Sequence, residues 1–168
     1  MSKAISNLCV AGYITRVPGT AVFLSKDIDH VPLSLIKYLE HTNCLSQRVI
    51  ILSILNHSIP RVPNNERIFF QDFSNGFVQV VAHYGFMQSP KISTLLRYAQ
   101  AKGLDFDMNH STFFLLHTVP VLGKRLKGWR GLSARLFRYL LRNTTRAAHF
   151  FEIPHQRVME LGIQIMIH

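Results

Sequence analysis

Nine histidines, nine acidic residues and two cysteines are the side chains of this 168-residue chain that could do acid–base, metal or nucleophilic work. Their spacing arranges none of it. No HxxxH pair occurs, and no two histidines stand with acids at metal-ligand spacing. His83 is expected at a surface or a strand edge, and His110 and His155 in loops. Asp27, Asp29, Asp105 and Asp107 fall in short loops, where aspartate makes local turn hydrogen bonds. General acid–base catalysis would need two carboxylates converging in a cleft, and nothing in the pattern favours that. Cys9 and Cys44 form no CxxC and carry no nucleophile signature, so they read as reduced thiols. There is no GxSxG. Gly19 precedes an apolar run, whereas a phosphate-cradling glycine follows a strand and opens a helix. It reads as a doorway into the fold. No catalytic residue, no metal site and no cofactor is expected.

The densest chemical feature is positive. Lys124, Arg125, Lys127, Arg130, Arg135, Arg138, Arg142 and Arg146 follow one another with no Asp or Glu before Glu152. On a helix, Arg135, Arg138 and Arg142 share a face, with Leu132, Leu136 and Tyr139 or Leu140 on a neighbouring stripe. A solvated helix face explains such a pattern. So does a surface held beside anionic lipid headgroups, where each cation near the membrane contributes about 1 kcal/mol. The net charge of +10, from 19 Lys and Arg against 9 Asp and Glu, favours anionic partners in general. Nucleic acid is the weaker alternative, because no RNP aromatic box, GXXG loop or zinc knuckle is present. The hydrophobic content of 48% and charged content of 17% exclude a disordered tail. No apolar run approaches the roughly 20 residues that span a bilayer.

The elements that must hold these residues are legible. Residues 1–19 read as a leader or linker and 20–168 as one α/β domain. The first strand is expected over 20–25. A helix follows over 31–41, with Pro32 in its first turn and Asn43 as its stop. Arg48 to Ile54 reads as a strand covered on both faces. Strand, helix, strand make a βαβ unit with parallel pairing. Ile68–Phe73 and Phe77–Tyr84 flank Ser74-Asn75-Gly76 and predict a hairpin. A second helix is expected from Pro90 to Lys102 with Gly103 as its stop, and a strand over 112–116. Helices over 132–142 and 144–151 and a closing strand over 158–167, interrupted near Gly162, complete the order. The fold class is a single α/β domain whose mixed sheet joins crossover units to an inserted hairpin.

Five stretches together resemble one family. They are RVPGTAVFLS at 16–25, Arg48 to Leu52, IPRVPNNERI at 59–68, HYGFMQSPKI at 83–92 and RNTTRAAHFFEIPHQRVMELGIQI at 142–165. In this order they are similar to the C-terminal cytosolic domain of the Kup/HAK/KT-type potassium uptake permeases. The resemblance implies a parent with a membrane part of twelve helices that carries K⁺ inward with protons. That part precedes this domain in the family and is expected to be lacking here, so the chain is not expected to conduct ions. It would lie on the cytoplasmic face of the bacterial inner membrane. The transmembrane part of the permease and anionic lipid would be its partners, with Arg135, Arg138 and Arg142 as the contact. Pairing of exposed sheet edges would make a homodimer. The role implied is regulatory and structural. The alternative is a nucleotide-sensing module, since some members and relatives bind cyclic di-AMP through the cytosolic domain. One departure stands out. Members commonly read like Tyr-Phe-Leu-Gly-Arg-Glu after the serine or threonine of the fifth strand, where this chain has Thr112 to Thr118 without the Arg-Glu pair.

Overall fold

The run Thr20–Leu24 is apolar without a break because both faces of its strand are covered. Ala21 and Phe23 point into one buried cluster and Val22 into another. In this computed structural model, which describes residues 14–107, 110–122 and 155–167, that strand is the centre of the molecule. The element order is β1 (Thr15–Ser25), α1 (Leu33–Thr42), β2 (Cys44–His57), β3 (Ile68–Phe73), β4 (Phe77–Gly85), α2 (Ile92–Ala101), β5 (Ser111–Leu122) and β6 (Val158–Ile167).

The six strands form one sheet in the order β3-β4-β2-β1-β5-β6. Every neighbouring pair is parallel except β3 with β4. The sheet is therefore mixed in the way the sequence implies: crossover units supply the parallel strands and a hairpin supplies the antiparallel edge. The hairpin turn is made by Asn75 and Gly76, both at positive φ. Asparagine and glycine tolerate that region at little cost.

The helices lie on opposite faces. Leu35 and Leu39 of α1 pack with Phe23, Val49, Ile51, Phe77 and Phe114. Phe23 stacks on Phe114 with ring centroids 4.6 Å apart, and Tyr38 tilts against both. On the other face Ile92, Leu95, Leu96 and Ala99 of α2 meet Val22, Ile50, Leu52, Val78, Val80 and Phe113. Each of these large side chains stabilises the fold by about 1.5–3 kcal/mol when fully buried. Asn43 ends α1 in the left-handed conformation, and Gly103, also at positive φ, follows α2. Both stops fall where the sequence places them.

Several boundaries differ from expectation. β1 begins at Thr15, not at residue 20, because Thr15–Val17 find parallel partners in Cys44–Ser46. β2 is longer than expected for the same reason. Pro18 and Gly19 sit in a register break between Val17 and Thr20. Gly19 has φ 109°, and a Cβ there would lie 3.3 Å from the His110 carbonyl oxygen. The glycine thus serves backbone geometry, as the doorway reading requires. Pro32 sits at the N-cap of α1, just outside the first turn. β5 runs well past residue 116, and β6 passes through Gly162 without interruption. The expected helices over 132–142 and 144–151 lie outside the described residues.

Candidate functional site

The two ends of the parallel strands are built differently. At the amino ends, arginines stitch the sheet. Arg16 donates through Nη1 to the Ser46 carbonyl at 2.8 Å and through Nη2 to the Asn75 carbonyl at 2.7 Å. Its guanidinium also lies 5.4 Å from the Phe77 ring centre. Arg48 donates to the Asp105 carboxylate at 2.8 Å and lies 3.8 Å from Asp72. These cations are occupied by the fold.

At the carboxyl ends the sheet opens. The β1–α1–β2 unit carries the chain to one side of β1, and the connection through α2 returns it to β5 on the other side. Open α/β sheets bind ligands in the crevice outside such a reversal of strand order. A crevice of about 480 Å³ lies there. Its walls are Leu24 and Ser25 of β1, Leu52 and Ile54 of β2, Leu115 and Leu116 of β5, the β1–α1 loop, and the first residues of α1. That volume suits a small organic ligand.

Buried polar groups fix the loop that rims it. Ser53 donates to the Asp27 carbonyl at 3.1 Å, and Gln79, 6% exposed, donates to the Ile28 carbonyl at 2.7 Å. Ser25 both donates to the Asp27 carbonyl and accepts from the Asp27 amide. Lys26, Asp27 and His30 are therefore presented from a clamped loop, and all three line the crevice. Behind them α1 starts without a side-chain cap and with no acid in its first turn. The amides of Leu35 and Ile36 both reach the Pro32 carbonyl. The Leu33 and Ser34 amides belong to the orphan donors of a helix start. Ser34, 1% exposed, is one of the lining residues, and its buried hydroxyl has no hydrogen-bond partner.

A second feature lies at the carboxyl ends of β2 and β4. His57 Nε2 and His83 Nδ1 are 2.7 Å apart and the rings stack. Phe69 meets His83 edge-on. Burial, and then the neighbouring His57, hold the His83 pKa below its usual value. Phe86 and Met87, 65% and 63% exposed, stand close by in chain order, and their amides donate to the Ile59 and Pro60 carbonyls. Gln88 accepts from the amides of Val62 and Gly85 at 2.9 Å each. Two of the stretches quoted for the family resemblance are thus interlocked.

Arg135, Arg138 and Arg142 lie outside the described residues. His83, expected at a surface or edge, is partly buried and paired with another histidine. Sequence spacing could not reveal that, because the pair depends on the β2–β4 register. Nor could it reveal the crevice; the only trace was Pro32-Leu33-Ser34 opening a helix soon after a strand. No group of three or more metal-ligating side chains occurs among the described residues.

The family described as the K⁺ potassium transporter C-terminal domain matches residues 18–167. The chain belongs to this family. It is 40% identical over 156 residues to the probable potassium transport system protein Kup 1 of Paramagnetospirillum magneticum, covering 92% of this chain and 24% of that protein. It is 39% identical over 152 residues to the Kup 1 protein of Geobacter sulfurreducens, covering 90% of this chain and 24% of the relative. The Kup protein of Myxococcus xanthus is also 39% identical over 152 residues, with 89% and 23% covered. The chain therefore spans about a quarter of the length of these relatives. No solved structure matches it significantly. The K⁺ transporter C-terminal domain is not an enzyme family, and among the described residues no helix is long and apolar enough to cross a membrane.

Proposed function

We propose that the chain acts as the regulatory and assembly domain of a Kup-type potassium uptake system, at the cytoplasmic face of the bacterial inner membrane. The observation that carries this reading is the family match over residues 18–167, combined with coverage of only about a quarter of each relative. An ion path through a membrane needs coordinating oxygens within membrane-spanning elements. That task falls to the remaining three-quarters of such a protein, and this domain does not conduct. Its work is contact, not catalysis.

Two surfaces support contact. The basic run that includes Arg135, Arg138 and Arg142 suits anionic headgroups, with attraction that weakens as salt rises. The exposed Phe69, Phe86 and Met87 suit packing against a protein neighbour, and β3, an edge strand among the described residues, suits pairing with a second copy. The test is co-purification with the membrane part of a Kup relative, together with rubidium uptake in cells lacking their own potassium systems. The chain alone should give no uptake and should co-purify with the membrane part. Sedimentation with anionic liposomes at two salt levels tests the arginines, and replacing all three by glutamine should abolish binding. Failure to co-purify, or uptake by the chain alone, overturns the reading. The crevice favours a second reading, a module that senses a nucleotide such as cyclic di-AMP and so controls uptake.

A further inference from the structure

We infer that the crevice at the carboxyl ends of β1, β2 and β5 is a binding site for a phosphate monoester carrying an apolar body. This rests on the nucleotide-sensing reading for the crevice as a ligand site, and replaces the cyclic diester named there by a monoester. Three independent observations converge there. The first is topological: the crevice occupies the place where strand order reverses, outside the carboxyl ends. The second is the state of α1. This ten-residue helix opens on a proline, has no side-chain cap, and has no acid in its first turn to offset the positive end of its dipole. An anion accepting from the first amides is the usual remedy. The third is Ser34, a residue of the crevice wall whose hydroxyl is buried without a partner. A buried hydroxyl left unpaired is costly, and a site built to receive an acceptor explains it.

The remaining walls define the rest of the ligand. Lys26 lines the same crevice from the clamped loop and supplies a countercharge. Leu52, Ile54 and Leu115 line the apolar part, which suits a base or an acyl stem. Asp27 also lines the crevice and is suited to accept from a hydroxyl on the ligand rather than to meet the phosphate. Both a soluble nucleotide and a lipid of the phosphatidate kind offer this combination of monoester and apolar body.

The experiment is calorimetric titration of the full 168-residue chain with AMP, with adenosine, with inorganic phosphate, and with short-chain phosphatidate below its micelle concentration. The expected result is millimolar or tighter binding of AMP or of phosphatidate, at least about tenfold tighter than of adenosine or phosphate alone. Which of the two monoesters binds tells a soluble source from a lipid one. Lys26→Gln, on an exposed loop, should weaken binding by about tenfold, and Ser34→Ala by about fivefold. Arg97→Gln, an exposed residue of α2 that does not line the crevice, should change nothing. Absence of binding by both monoesters, adenosine binding as well as AMP, or affinities unmoved by Lys26→Gln and Ser34→Ala would each overturn the inference. The titration uses the chain alone, so such a failure leaves the transporter-domain reading intact, while failed co-purification leaves the crevice intact.

Discussion

Arg16 offers the sharpest test of how the amino end of the sheet is held. Replacing it by methionine keeps the aliphatic stem and removes the fork. Two short hydrogen bonds are lost, one to the half-buried Ser46 carbonyl at 2.8 Å and one to the exposed Asn75 carbonyl at 2.7 Å, together with a long one to the Gln47 carbonyl at 3.4 Å. A charge-assisted bond contributes about 1.5–3 kcal/mol when shielded and much less where water can substitute. The ring contact with Phe77 adds about 0.5–1 kcal/mol. The loss should therefore total about 2–3 kcal/mol, which for a domain of this size lowers Tm by roughly 5–10 °C. Urea unfolding of the parent chain, Arg16→Met and Arg16→Lys measures it. Lysine places one compact ammonium where two carbonyls need donors, so it should recover less than half of the loss. The slope of the transition should stay constant, which keeps the comparison on stability alone. An Arg16→Met chain within about 0.5 kcal/mol of the parent, or full recovery by lysine, would refute the role of the fork.

Three further outcomes follow from the same coordinates. Ser34→Ala removes a buried unpaired hydroxyl from a helix, so without ligand the chain should gain about 1 kcal/mol in urea unfolding. Gly76→Ala forces a side chain into positive φ and against the Gln47 carbonyl, and should cost at least about 2 kcal/mol by the same measurement. The third concerns pH. His83 has a folded pKa below its ordinary 6.5, so between the two values the unfolded chain binds more protons. Its contribution is complete above about 6.5 and is lost as pH falls through the folded value. Thermal melts from pH 7.5 down to 5.5 should show a slope of stability against pH for the parent that His83→Gln flattens.

Local chemistry made much of the fold legible. The Asn75-Gly76 turn, the left-handed Asn43 and the unbroken apolar runs of β1 and β2 each carry their conformation in residue type. The start of β1 was hidden because Pro18 and Gly19 look like a break. The sheet absorbs them as a shift of register, supported by partners in β2 that no local window contains. The same limit hid the site. Ser34 and Lys26 are near each other in sequence, but Leu52, Leu115 and Gln79 join them only through strand order and register. The His57–His83 pair was invisible for that reason too. The positive run at 124–146 was the loudest chemical signal in the sequence, and it lies outside the described residues.

The position of β1 has a consequence for biosynthesis. Its partner β2 leaves the ribosome soon after it, but Thr20 pairs on its other flank with Ser111, about ninety residues later. At about 5–20 residues per second, translation leaves that flank open for roughly 5–20 s. Throughout that interval Val22 and Phe23 lack the β5 rings that will cover them, and the nascent strand offers a bare hydrogen-bonding rim. Trigger-type holdases should therefore dwell on this chain until Phe114 emerges, and ribosome profiling of such a holdase would show release only after the ribosome has passed that codon by the length of chain its exit tunnel holds.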